Sequence, residues 1–184
     1  MVVPALIAIN IVIFVVTVAQ AGSLSRNTDA PLFKQWALLP TEVANGEWWR
    51  LFTSGFLHLG AFGGAHLAFN MIALWVIGRD LEQVLGRARF LMVYLVSMLG
   101  GGLAVFLFSD PDIPVAGASG AVYGLMGGLV VVLLRMRRDP RPAITIILLN
   151  VIISFAVPGI SILGHLGGLL FGTAVTAGLV YAPR

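Results

Sequence analysis

The chain has 184 residues, of which 59% are hydrophobic and 10% are charged, with a mean hydropathy of +0.98 and a formal net charge of +3. This composition excludes an ordinary water-soluble domain, because a chain so apolar is solvated mainly by lipid. The sequence contains no cysteine, which excludes disulfides, thiolate catalysis and sulfur-ligated metal sites.

Charged residues divide the chain into six apolar stretches, at residues 2–19, 66–77, 90–108, 119–134, 143–157 and 162–181. A helix needs about 20 apolar residues to cross a bilayer, so six spans and their loops account for residues 1–184. We therefore predict a single domain over residues 1–184, in an all-α, polytopic membrane protein built as a six-helix bundle. The first stretch lacks a basic start and is interpreted as a retained helix rather than a signal peptide.

The first loop, residues 20–62, is too long to be a simple connector. It contains Trp36, Trp48 and Trp49 together with other apolar side chains. Indole rings favour the boundary between lipid and water, because most of the ring is apolar and its N–H group is polar and can be hydrated. We predict that this loop lies in the membrane interface and serves mainly as an anchor.

The basic residues predict how the spans are oriented. Loop two contains three arginines, loop four contains four and Arg184 ends the chain, whereas loops three and five contain none. Arginine and lysine are retained on the cytoplasmic side, so both termini are expected to be cytoplasmic. The bias of arginine over lysine and the lack of an extra domain indicate a prokaryotic plasma membrane. No basic stripe with interleaved aromatic residues is present, so we expect no nucleic-acid partner.

Three polar residues open spans on the predicted outer side: His66, Ser119 and His165. Ser119 lies 16 residues before Arg135, which is about 24 Å of helix against about 30 Å of hydrocarbon, so it is sunk below the outer surface. The segments before His66 and Ser119 must then descend as non-helical backbone, which lipid tolerates only around a lined cavity. The sequence therefore predicts a polar cavity that is open to the outside.

A serine with a histidine on a facing helix is the minimum machinery for acyl transfer, since the imidazole takes the hydroxyl proton and returns it to the leaving group. All eight acidic residues lie outside the six apolar stretches, so no carboxylate is expected within a span and we predict a Ser119–His165 dyad rather than a triad. Small-xxx-small patterns in spans four and six would let the two helices close. They are formed by Gly117, Gly120, Gly124 and Gly128 and by Gly164, Gly168 and Gly172.

Three further residues are candidates for supporting roles. Tyr123 lies one turn below Ser119, where its ring could support the imidazole or act as a core aromatic. His66 and Asn70 share one helix face and, with the backbone N–H of Ser119, could donate to an oxyanion. The alternative for His66 and Asn70 is an interhelical hydrogen-bonding pair.

The motifs around these residues resemble those of the rhomboid protease family over nearly the whole chain. Residues 117–120 resemble the GxSG nucleophile motif, and Tyr123 falls where the family has its histidine-stacking tyrosine. Residues 164–168 with Gly172 resemble the HxxGxxxG pattern that carries the base. Residues 66–70 resemble the HxxxN motif assigned to the oxyanion hole.

Two further matches and one departure complete the comparison of motifs. Trp49 and Arg50 resemble the tryptophan-arginine pair of the interfacial loop, and residues 78–86 fit a GxxxExxxG pattern. The family usually has another histidine about five residues before the HxxxN histidine, but here His58 precedes His66 by eight. The role of His58 is therefore left open.

The resemblance implies a bare six-span intramembrane serine endopeptidase of the prokaryotic type. Its partners would be the lipid bilayer and transmembrane protein substrates, cleaved near the outer leaflet without metal, nucleotide or other cofactor. The resemblance gives Ser119 the role of nucleophile and His165 that of base, with His66, Asn70 and the Ser119 N–H as oxyanion donors. Tyr123, Gly117 and Gly120 would support them.

Other interpretations compete with this one. A catalytically silent relative that binds membrane clients would be marked by loss of Ser119 or His165, and both are present. A small transporter or channel would need a polar path to the cytoplasmic side, and the deep halves of most spans are apolar. Ser161, four residues before His165, is a rival nucleophile. Asn150 and Ser154 of span five are interpreted as interhelical hydrogen-bonding residues.

Overall fold

The chain folds as a helical bundle, seen in a computed structural model that describes residues 1–157 and 159–182. Within those ranges the regular secondary structure consists of helices, and a single β-bridge pairs Leu38 with Val115. The all-α prediction is confirmed. Arg184, counted above among the cytoplasmic basic residues, lies outside the described residues.

Six of the nine described α-helices are long, and three short ones fold loop one. In chain order they are α1 (Val2–Ala21), α2 (Pro31–Trp36), α3 (Pro40–Ala44), α4 (Arg50–Thr53), α5 (Ala65–Leu85), α6 (Arg87–Phe108), α7 (Ser119–Arg135), α8 (Arg141–Ala156) and α9 (Ile162–Tyr181). Each long helix contains one predicted apolar stretch, apart from the last residue of the fifth.

The largest difference between a predicted apolar stretch and the helix that contains it is at α5, which continues to Leu85 although its apolar stretch ends at residue 77. Charged side chains such as Arg79 and Asp80 interrupt hydropathy but not helix geometry. The helix stops at Gly86, whose φ of 81° is a conformation that side chains with a Cβ rarely adopt.

Three of the described helices are long and apolar enough to cross a membrane: α1, α6 and α9. Helices α7 and α8 are apolar but shorter, with 17 and 16 residues. At 1.5 Å per residue, α7 is about 26 Å long, close to the thickness of the hydrocarbon core. The count of six spans stays a prediction.

The centre of the bundle is formed by α6, α7 and α9, which approach one another at glycines. A Cβ at Gly168 on α9 would collide with the carbonyl oxygen of Gly120 on α7, and one at Gly172 would collide with the Cα of Gly124. Such backbone contact is available only where side chains are absent. Helices α7 and α9 therefore meet along the glycine pattern found in the sequence.

Helix α1 is joined to α5 at its N-terminal end by Glu82. The two carboxylate oxygens accept hydrogen bonds from the N–H groups of Val2 and Val3 at 2.7 and 3.0 Å. These N–H groups have no partner within their own helix, and a negative charge stabilises a helix N-terminus. Gly78 lets α1 approach, because a Cβ there would lie 3.0 Å from the Val3 side chain. The GxxxExxxG pattern is thus a structural joint.

Loop one folds around Arg50, whose guanidinium is buried. It donates to the carbonyl oxygens of Lys34 and Ala37 at 2.7 and 2.8 Å and forms an ion pair with Glu47 at 2.6 Å. Trp48 and Trp49 are more than half exposed, as a position in the membrane interface requires. Loop one is an ordered unit rather than a connector.

Candidate active site

Ser119 is the first residue of α7, and the segment before it is held by loop one. The Leu38–Val115 bridge fixes this segment, and the N–H of Gly117 donates to the carbonyl oxygen of Ser54 at 3.0 Å. Gly117 has φ 143°, and a Cβ there would lie 2.9 Å from the His66 ring. Glycine at this position leaves room for His66 beside Ser119.

The Ser119 hydroxyl lies against the base predicted for it. Its Oγ is 2.7 Å from Nε2 of His165, which is on α9. Gly120 lies next to the backbone of Gly164, so the two helices are close enough for the side chains to bond. A hydroxyl and an imidazole in this arrangement are equipped for nucleophilic acyl transfer.

The ring of Tyr123 lies against the imidazole of His165, the arrangement that its supporting role needs, and that role stays a prediction. The Tyr123 and His165 rings are stacked, with centroids 4.2 Å apart and planes 16° apart. Both side chains are buried. The stack restricts rotation of the imidazole about its side-chain bonds.

The second nitrogen of His165 contacts a residue whose role the sequence did not reveal. Nδ1 lies 2.8 Å from Oγ of Ser154, on α8, and the same Oγ is 2.9 Å from the hydroxyl of Tyr123. Ser154 was interpreted as an interhelical hydrogen-bonding residue, which is correct in kind. Its partners were missed, since an isolated serine in an apolar helix carries no signal of what it faces.

His66 and Asn70 differ in what they face. Nδ1 of His66 accepts a hydrogen bond from the N–H of Leu59 at 3.2 Å, and the opposite edge of the ring lies near Gly117 and Ser119. The side-chain nitrogen of Asn70 donates instead to the carbonyl of His66, at 2.8 Å in its own helix. The His66 ring therefore lies against Gly117, two residues before Ser119, and one of the two amide hydrogens of Asn70 is used within its own helix.

His58 is fully buried beside His66, with ring centroids 5.1 Å apart. Asn27 holds its segment, donating to the carbonyl of His58 at 2.8 Å and accepting from the N–H of Gly60 at 2.7 Å. Burial, with a smaller contribution from His66, lowers the pKa of His58 to about 3. The segment Ala61–Gly64 forms a 3-10 turn, so the prediction of fully non-helical backbone before His66 is wrong there.

The rival nucleophile Ser161 has a different task. It is the N-cap of α9, and its Oγ accepts a hydrogen bond from the N–H of Gly164 at 3.2 Å. Such a cap typically stabilises a helix by about 1 kcal/mol. In the part of the chain that is described, no three metal-binding side chains cluster closely enough to hold an ion.

Comparison with known proteins gives these residues a context. A family model described as "Rhomboid domain" matches residues 45–182. The chain belongs to the Rhomboid family. It is 40% identical over 178 residues to "Rhomboid protease GluP" of Bacillus subtilis (strain 168), covering 94% of this chain and 34% of that protein.

Two further rhomboid relatives show the same likeness. "Putative rhomboid protease YdcA" of Bacillus subtilis (strain 168) is 39% identical over 135 residues, covering 71% of this chain and 66% of that protein. "Rhomboid protease AarA" of Providencia stuartii is 28% identical over 208 residues, covering 97% of this chain and 72% of that protein. The chain thus spans about a third of the length of GluP and about two thirds of YdcA.

Proposed function

We propose that this rhomboid chain is an intramembrane serine endopeptidase with Ser119 as nucleophile and His165 as general base. The observation that carries the proposal is the 2.7 Å separation between Ser119 Oγ and His165 Nε2. The names of the relatives, all rhomboid proteases, support the same activity.

In the first half of the reaction, Ser119 Oγ attacks the peptide carbonyl carbon as Nε2 of His165 takes the hydroxyl proton. The tetrahedral intermediate collapses, the C–N bond breaks and the amine leaves with the proton from Nε2. Water then attacks the acyl-enzyme while His165 again acts as base. The serine recovers its proton and the new carboxyl terminus departs.

The oxyanion needs donors that are already in place when it forms. Nδ1 of His66 accepts a hydrogen bond from the N–H of Leu59, so a neutral ring carries its own hydrogen on Nε2. That edge lies near Gly117 and Ser119. We assign three oxyanion donors: the Nε2–H of His66, the backbone N–H of Ser119 at the start of α7, and the amide hydrogen of Asn70 that is not bonded to His66.

The proposed substrates are transmembrane proteins, cleaved near the outer leaflet of a prokaryotic plasma membrane. Both termini of this chain would then be cytoplasmic. The support is the run of apolar helices and the position of Ser119 at the end of α7 opposite the four arginines of loop four. The chemistry calls for no metal, nucleotide or nucleic acid.

A fluorophosphonate probe, applied to the full chain in detergent, tests the nucleophile. We expect labelling that maps to Ser119 by mass spectrometry, none in Ser119→Ala, and a loss of at least about 100-fold in His165→Ala because the base is gone. Ser161→Ala is the matched control and should keep its labelling. Labelling that persists in Ser119→Ala, or disappears in Ser161→Ala, contradicts the assignment.

Cleavage of a reconstituted single-span protein tests the substrate class. We expect a cut near the outer end of the span, and none by Ser119→Ala. A folded chain that is neither labelled nor active would favour the silent, client-binding alternative.

A further inference from the structure

The hydroxyl of Ser154 is surrounded by three hydrogen-bonding groups. Its Oγ lies 2.8 Å from the carbonyl oxygen of Asn150, 2.9 Å from the hydroxyl of Tyr123 and 2.8 Å from Nδ1 of His165. The side chain is buried, with 5% exposure. Each of the three contacts needs one hydrogen, so one group of each pair must donate and the other must accept.

A serine hydroxyl has one hydrogen to donate and two lone pairs that accept. The carbonyl of Asn150 can only accept, so it takes the hydroxyl hydrogen. The oxygen of Ser154 is then left to accept from both Tyr123 O–H and His165 Nδ1–H. This assignment satisfies every group in the cluster, as buried polar groups require.

The assignment fixes the tautomer of the imidazole. A neutral histidine that donates from Nδ1 has its lone pair on Nε2, which is the nitrogen 2.7 Å from Ser119 Oγ. In that form the ring can take the serine proton. In the other tautomer Nε2 would already carry a hydrogen and could not act as base.

We infer that Ser154 is a positioning residue that holds His165 in the tautomer required of a base. The inference rests on the proposed roles of Ser119 and His165. Ser154 would fix the tautomer of the imidazole, as the aspartate does in a Ser-His-Asp triad, without supplying that aspartate's charge. A neutral hydroxyl suits an apolar bundle, because an ionised carboxylate buried there would be costly.

Steady-state kinetics of the full chain in proteoliposomes, with a fluorogenic single-span peptide, separates this role from a structural one. We expect Ser154→Ala to lower kcat by about 10- to 100-fold, with KM changed by less than about twofold, since the substrate is not contacted. Ser154→Thr restores the hydroxyl and should recover most of the rate.

Ser97→Ala is the matched control for removing a buried hydroxyl. Ser97 on α6 is also buried and also donates to the carbonyl four residues earlier, Val93, at 2.6 Å. This variant should retain kcat within about threefold. A wild-type rate in Ser154→Ala, or a threonine variant as slow as the alanine variant, overturns the inference.

Nitrogen NMR of the imidazole rings in lipid bilayers reads the tautomer directly. At about pH 8 we expect wild-type His165 to carry its hydrogen on Nδ1, assigned by the signals lost in His165→Gln. In Ser154→Ala, signal should appear for the Nε2–H form. A wild-type ring protonated on Nε2 overturns the inference.

This measurement does not depend on activity. Absence of fluorophosphonate labelling at Ser119 would remove the proposed function, while the wild-type tautomer would still decide whether Ser154 orients the ring.

Discussion

The imidazole of His165 is held on three sides by uncharged groups. Ser119 contacts Nε2, Ser154 contacts Nδ1, and the ring of Tyr123 covers one face. An orienting carboxylate would stabilise the imidazolium that forms during proton transfer, but burying the carboxylate costs several kcal/mol. Neutral partners avoid that cost and give less support to the charged ring, so orientation rather than charge is their contribution.

His58 gives folding a pH dependence. Burial first, and His66 second, lower its pKa from 6.5 to about 3. As the pH falls below 6.5, the unfolded chain binds a proton at this ring that the folded chain does not bind. The contribution of His58 is therefore fully present above pH 6.5 and is lost progressively on acidification.

Thermal unfolding in detergent at about pH 7.5 and about pH 5 checks this prediction. We expect the midpoint to fall on acidification, and to fall less in His58→Phe, which keeps a ring of similar size but cannot titrate. For each protein, the midpoint at the higher pH is the reference from which its fall on acidification is measured. Equal pH dependence in the two proteins would show that His58 does not titrate on unfolding.

The sequence predicted the residues that open helices better than those within them. The contact between Ser119 and His165 could be predicted because loop counting assigns both residues to one side of the membrane. The contact between Ser154 and His165 could not, because nothing in an apolar run says which face of α8 turns inward. The bond from Asn70 to His66 was also unpredictable, since an asparagine can turn to its own helix or away from it.

At the scale of helices, the distance between α7 and α9 decides whether the site exists. Gly168→Ala would place a Cβ against the carbonyl of Gly120 and force the helices apart. We expect a lower midpoint of thermal unfolding, a destabilisation of about 1–3 kcal/mol and a loss of labelling of at least about 10-fold, because the Ser119–His165 bond lengthens.

Gly178→Ala is the matched control in the same helix. A Cβ there has no heavy atom within 4 Å, so the substitution should leave labelling unchanged and stability equal or slightly higher. Equal behaviour of the two variants would show that the close crossing is not needed.

Helix α8 is held less firmly than its neighbours. It packs on α7 and α9 less extensively than they pack on each other, and Ile146, Leu148, Ile152 and Phe155 are exposed along it. Since Ser154 is on this helix, a shift of about 1 Å away from α9 is enough to weaken the bond to His165. The orientation of the imidazole therefore depends on the seating of α8.

At the scale of the whole molecule, the orientation in the membrane is open to direct measurement. The chain has no cysteine, so a single introduced one reports its own position. With a membrane-impermeant maleimide on intact cells, we expect labelling of Asp112→Cys in loop three and none of Arg138→Cys in loop four, because basic loops are retained inside.

Inside-out vesicles provide the reciprocal control, in which the two variants should exchange behaviour. Labelling of Arg138→Cys in intact, sealed cells would reverse the predicted topology.

The general plan was predictable because hydropathy depends on local composition and finds each long helix without knowledge of its neighbours. The lateral arrangement was not, apart from the approach of α7 to α9 that the glycines indicated. Loop one is the clearest case. Its tryptophans predicted an interfacial location, but not that Arg50 would be its centre or that Leu38 would pair with Val115.

The order of the helices along the chain bears on biogenesis. Ser119 and His165 are 46 residues apart, and α8 with Ser154 is synthesised between them. While α9 is still in the ribosome, the serine in α7 has neither its base nor the glycine face that brings the base near. On the proposed mechanism, the newly made chain therefore cannot hydrolyse the nascent proteins around it, and hydrolytic competence arises only once α9 has been made and has packed on α7.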